Sequence, residues 1–230
     1  ELTARGVPVF MNAIDYDYLC QELASGGWQA MEQIFLSEGF PMEEIEKQKK
    51  GNQARLYSPH HPFPASKVSD NDLLTVGGIT LRCIQTPGHT PGHTCLYIED
   101  KEIFFSGDHI LFDITPNISV WRNIPYSLAD YLESLQKIKG LKVSHTFPGH
   151  REFHGDIHDR INALALHHHA RLKEILDAID HHPDCTAYET AGRISWSSRG
   201  RAWSDFSPNQ KWFAMGETLA HIKWLSDKGA

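Results

Sequence analysis

Cysteine is scarce in this chain, with four in 230 residues at Cys20, Cys83, Cys95 and Cys185. None are spaced as C-x-x-C, which excludes a zinc ribbon and a thioredoxin-type redox motif. A chain this long buries a core without covalent staples, so no disulfide framework is expected. The thiols read as reduced and mostly buried, in a cytoplasmic protein. Long apolar runs are missing as well: no stretch approaches a membrane span, and the N-terminus has no signal-peptide profile. Positive charge is in deficit, 22 Lys+Arg against 29 Asp+Glu for a net charge of −7. That balance argues against a whole-protein binder of nucleic acid or anionic membrane, while leaving local basic patches open. Repeats and low-complexity tracts are absent.

Histidine, by contrast, is plentiful. Fifteen is high for a soluble chain of this size, and histidine is both the commonest metal ligand and the acid/base of neutral pH. The composition is otherwise ordinary for a globular protein, 40% apolar and 22% charged, and allows one large domain or two modest ones.

Residues 1–6 read as the tail of a helix running into a strand over 7–10. A chain rarely begins inside an element, which points to truncation. Apolar spacing near 3.6 predicts helices over 15–23 (capped by Asp15), 28–37 and 43–56. The Pro/His-rich stretch 57–66 is a loop. From residue 67 the pattern turns to strands: 73–76 and 79–84 as a hairpin about Gly77-Gly78, then 94–98, 102–106 and a buried strand over 143–147. An amphipathic helix spans 128–138. Beyond about residue 155 the pattern is helical again, over 157–179, 186–194 and 207–225.

Three strand ends stop in Gly/Pro-marked loops that carry a metal-capable side chain. They are Thr86-Pro87-Gly88-His89-Thr90-Pro91-Gly92-His93-Thr94, Ser106-Gly107-Asp108-His109 and Phe147-Pro148-Gly149-His150. A glycine before the ligand lets the backbone turn sharply and come close to an ion. Two imidazoles and a carboxylate suit zinc or another borderline divalent metal.

TPGHTPGHT, SGDHIL and FPGH together resemble the third, fourth and fifth metal motifs of the metallo-β-lactamase superfamily, in the style of glyoxalase II and lactonases. The resemblance implies a mixed α/β fold: a partial αββα sandwich over residues 1–155, followed by a helical, winged-helix-like domain over 156–230. It implies that His89 binds a first metal, that Asp108 bridges both metals and that His150 binds the second. His93 would brace the ligand loop by hydrogen bonding. Asp108 and His109 are the catalytic candidates, His109 as a residue that could face substrate. The superfamily's leading H-x-H-x-D-H motif does not occur in the chain, and neither His60-His61 nor His167-His168-His169 replaces it. The triple histidine reads as a solvated helix face. With three of seven ligands present, weak metal binding and an open sheet edge follow, the latter inviting a homodimer or strand exchange.

The C-terminal tail is similar to the winged-helix-like extension of one branch of that superfamily, which includes a mitochondrial endoribonuclease. Arg199 and Arg201 beside Trp196 form the candidate contact to single-stranded RNA. Against it, residues 156–230 hold nine Lys+Arg and ten Asp+Glu. The expected activity is therefore zinc-type, dinuclear hydrolysis of a small ester, thioester or lactone by a metal-bound hydroxide, with manganese or iron as alternative metals. An endoribonuclease of the same fold and a catalytically incomplete fragment are the rival readings.

Overall fold

The first strand ends where an asparagine can cap a helix. In a computed structural model of the chain, which describes residues 3–197 and 200–229, β1 (Phe10–Asn12) pairs in parallel with β2 (Ser66–Val68). Asn12 Oδ1 then accepts from the Ile14 amide at 2.8 Å and opens α1 (Ala13–Ser25). Such a cap satisfies a donor that the first helical turn leaves unpaired. Asn12, rather than Asp15, is thus the cap. α2 (Gly27–Ser37) and α3 (Met42–Gly51) follow. The single helix expected over 43–56 is broken at Asn52, whose side chain caps a further short helix, α4 (Gln53–Tyr57).

The main sheet is five strands in chain order: β3 (Leu73–Val76), β4 (Ile79–Gln85), β5 (Thr94–Ile98), β6 (Ile103–Gly107) and β7 (His145–Pro148). The first four are antiparallel neighbours, and β7 joins β6 in parallel, with Phe104 opposite Thr146. β7 starts two residues later than the sequence pattern suggests and is not buried throughout. Thr146 points inward while Phe147 is half exposed. Alternation along β6 does the same, turning Phe104 into the core and Phe105 outward. Phe105 and Phe147 stack on the outer face, centroids 5.2 Å apart.

Helices cover the inner face. α5 (Ser127–Lys139) buries Leu128, Tyr131, Leu135 and Ile138, the i, i+3, i+7, i+10 stripe of an amphipathic helix. These side chains meet Ile84, Cys95, Tyr97 and Phe104 from the sheet, and Ile157, Ile161 and Leu164 from α6 (Ile157–His181). After α7 (Ala187–Arg193) the chain runs through a short 3-10 turn, Trp203–Asp205, into α8 (Pro208–Lys228). Thr186 with Glu189, and Ser207 with Gln210, form capping boxes at the starts of α7 and α8. No strand occurs between α7 and α8 among the described residues, so the C-terminal part is helical without a wing of strands there. A second cluster joins Phe35, Phe40 and Ile45 to Trp212 and Met215 of α8. The buried Glu44–Lys211 pair, 2.9 Å apart, ties α3 to the same helix. α8 is therefore packed against both halves of the chain.

The four cysteines are free, with Cys83 and Cys95 fully buried. Among the described residues no helix is long and apolar enough to cross a membrane.

Candidate metal centre

The three strand-end loops converge. His89 leaves the β4–β5 connection, Asp108 the end of β6 and His150 the end of β7. His89 Nε2 and His150 Nε2 approach the same oxygen, Asp108 Oδ2, at 3.5 and 3.4 Å. The loop glycines make this approach possible. Gly107 has φ +51°, and a Cβ there would lie 2.8 Å from His93 Nε2; on Gly149 a Cβ would overlap Asp108 Oδ1. His89 Nδ1 donates to the Asn117 carbonyl at 2.9 Å, which leaves a bare lone pair on Nε2 directed toward Asp108. The Trp121 indole N–H donates to the His89 carbonyl at 3.2 Å and holds the backbone of the same loop.

His93 is spent inside the scaffold. Its Nε2 accepts from the Asp108 amide at 3.2 Å, so its Nδ1 carries the proton and donates to Thr86 Oγ1 at 2.8 Å. Burial, then the neighbouring His89, lowers its pKa to about 3, which keeps the ring neutral as that bonding pattern requires. His109 is wholly buried, edge-on to Tyr131 at 5.2 Å and tilted against His93 at 6.0 Å. In this arrangement it packs behind the ligand loop and does not face substrate. Burial, then His93, holds its pKa well below the ordinary value.

One residue of the site had no sequence signal. Asp15, on the first turn of α1, accepts from Thr90 Oγ1 at 2.5 Å and from the Gly92 amide at 2.6 Å. It clamps the loop between His89 and His93. Burial raises its pKa despite those two bonds, which act in the opposite direction. An aspartate one turn into a helix looks like a cap in sequence; its partners lie 75 and 77 residues away. α8 reaches the site too: Asn117 Nδ2 donates to the Phe213 carbonyl at 3.1 Å and lies 3.5 Å from Glu217 Oε2.

The donor set fits a divalent metal: two neutral-capable imidazoles and a carboxylate, with one imidazole's tautomer already fixed. The set does not close around a single point. Among the described residues, the group of His, Cys, Asp and Glu whose ligand atoms all lie within 4.8 Å of one another is elsewhere, at His167, His168 and Glu217. His89 and His150 thus flank Asp108 rather than cluster.

The remaining candidates lie apart from this centre. His60 and His61 are exposed in their loop. The triple histidine is not a solvated face: His168 is fully buried, because α8 packs over that side of α6. Trp196 donates its N–H to the Ala191 carbonyl at 2.8 Å, and Arg171 covers its ring at 4.2 Å. Arg201 is exposed, and Arg199 lies outside the described residues.

Residues 2–150 match the profile of the metallo-beta-lactamase superfamily. The chain belongs to that superfamily. Its relatives include the Beta-lactamase-like protein 2 homolog of Caenorhabditis elegans, 32% identical over 127 residues, covering 55% of this chain and 41% of the relative. An Aspergillus fumigatus protein named as an atrochrysone carboxyl ACP thioesterase is 33% identical over 92 residues, 40% of this chain and 27% of that protein. The crystal structure of a metallo-beta-lactamase family protein from Thermus thermophilus matches with a TM-score of 0.78 at 28% identity, covering 97% of this chain and 68% of that one. The chain thus spans about two fifths or less of the length of these curated relatives. Superfamily membership accounts for the mixed α/β architecture.

Proposed function

We propose that the protein is a metal-dependent hydrolase of small esters, thioesters or lactones, using two zinc-type ions. The observation that carries this reading is the approach of two imidazole nitrogens, from separate strand ends, to one oxygen of Asp108. In this reading His89 would hold one ion, His150 the other, and Asp108 would supply its carboxylate to both. When bound, such a pair lowers the pKa of a water to near neutrality and polarises the electrophile. The chain's own residues do the positioning. The Asn117 carbonyl fixes the His89 lone pair, His93 holds the Asp108 backbone, and Asp15 keeps the His89–His93 loop from opening. We assign this chemistry to residues 1–155, with 156–230 as a helical unit that supports it.

The thioesterase relative favours an acyl substrate. RNA ranks behind it, since the Trp196 face is taken by Arg171 and its N–H is spent, leaving little for a base to stack on. The test is twofold. Retained zinc per chain is measured after dialysis, and thioester, ester, lactone and RNA substrates are then assayed at saturating zinc. Acyl hydrolysis abolished by Asp108→Asn supports the proposal. RNA cleavage with a steep salt dependence would replace it with the nuclease reading. No turnover with any substrate would leave a catalytically incomplete fragment.

A further inference from the structure

A second group of histidines lies under α8, apart from the strand-end loops, and its tautomers follow from its hydrogen bonds. His221 Nδ1 contacts the Glu217 backbone carbonyl at 2.7 Å, and a carbonyl only accepts, so that nitrogen carries the proton. His221 Nε2 is then an acceptor. It lies 3.1 Å from His168 Nδ1, which must be the donor. The proton relay leaves a bare lone pair on His168 Nε2, a buried atom with no hydrogen-bonding partner. His167 Nε2 is likewise buried and unpartnered, 3.9 Å from Glu217 Oε1. His168 is fully buried and Glu217 nearly so. Leaving such buried atoms unsatisfied is costly, and a native structure seldom does so without use.

We propose that His167, His168 and Glu217 hold one divalent, zinc-type cation that clamps α6 to α8. Two imidazoles and a carboxylate, with water in the fourth position, make a donor set suited to zinc. The ligand atoms lie within 4.8 Å of one another. Bonds of roughly 2.0–2.2 Å require donors about 3.3 Å apart. Closing to that spacing requires side-chain rotation, for which the partly exposed His167 is freer than the buried His168. His221 acts here as a ligand-orienting partner, fixing the His168 tautomer as outer residues do at known metal centres. Arg171 is the opposing charge, its Nε 3.6 Å from Glu217 Oε1. Its guanidinium is drawn the other way: it donates to Glu174 Oε2 at 3.0 Å and to the Ser195 carbonyl, and it stacks on Trp196. The site shares no ligand with His89, Asp108 and His150, although Glu217 Oε2 also lies 3.5 Å from Asn117 Nδ2, whose own carbonyl accepts from His89.

The experiment is a Co²⁺ titration of the tag-free chain carrying Asp108→Asn and His150→Ala, which removes the strand-end centre. One equivalent should bind with the visible absorption of a tetrahedral site. Added His167→Ala should weaken that binding at least tenfold, and added His168→Phe should abolish it while keeping the ring stack. Zinc at a hundredfold excess over the parent's Kd should raise Tm by roughly 5–10 °C in the parent, by at most about half of that with His167→Ala, and not at all with His168→Phe. No bound cobalt in the parent, or equal affinity after His167→Ala, overturns the proposal. Should His168→Phe fail to fold, His167→Ala on the exposed side decides alone.

Discussion

Replacing Gly107 with alanine tests whether the strand-end geometry is what holds Asp108. Gly107 sits at φ +51°, a conformation that costs an L-residue about 1–2 kcal/mol. The new Cβ would also stand 2.8 Å from His93 Nε2, about 0.6 Å inside ordinary contact at 3.4 Å. His93 cannot retreat freely, since its other nitrogen is bonded to Thr86 and its ring is packed against His109. Overpacking of this kind costs about 1–3 kcal/mol. The sum is about 2–5 kcal/mol, a fall in Tm of at least about 4 °C for a chain of this size. Because the wedge enters between His93 Nε2 and the Asp108 amide, zinc affinity should drop about 10–100-fold as well. Gly77→Ala is the control. It has a similar φ of +57° in the β3–β4 turn and nothing within 4 Å of the added Cβ, so it isolates the strain. Thermal unfolding and zinc competition with a chromogenic chelator read both quantities. Equal Tm losses in the two variants with unchanged zinc affinity would refute the account of Asp108.

Four further outcomes are expected. His93, His109, His168 and His221 are all held neutral chiefly by burial. A depressed folded pKa means that unfolding takes up protons below the unfolded value of about 6.5. Stability of the metal-free protein should therefore be full above that pH and decline as pH falls, by up to about 5 kcal/mol per unit, read by urea titration across pH 7 to 5. Asp15→Ala should lower zinc affinity roughly tenfold, because Thr90 and Gly92 lose their clamp; isothermal titration checks it. Trp212→Ala should cost about 3–5 kcal/mol in chemical denaturation, since its ring packs 4.1 Å from Phe35 and 5.8 Å from Phe40. Lys211→Met alone should cost about 3–5 kcal/mol by stranding the buried Glu44 carboxylate, and Glu44→Leu added to it should recover most of the loss.

What sequence could say about this protein was local. The three strand-end motifs were readable because a sharp turn, a close-approach glycine and a ligand sit within four residues of one another. The α5 stripe and the Gly77-Gly78 hairpin were readable for the same reason, their physics being contained in one period of a helix or one turn. Asp15 was not readable as a loop clamp, since nothing in a helix's first turn announces a partner 75 residues away. His109 carried the same local signal as Asp108, yet the chain's turn after β6 sends one side chain toward His89 and buries the other against Tyr131. His168 sits in a run of three histidines, and although it falls on the α6 stripe between Leu164 and Leu172, the polar run hides that position. Only the packing of α8 over α6, bringing His221 to it from 53 residues along the chain, made it a buried, oriented base. Sequence determined which groups can bind metal; the tertiary fold decided which of them face an ion, which brace the loop and which are sealed away, because those choices depend on contacts between distant elements.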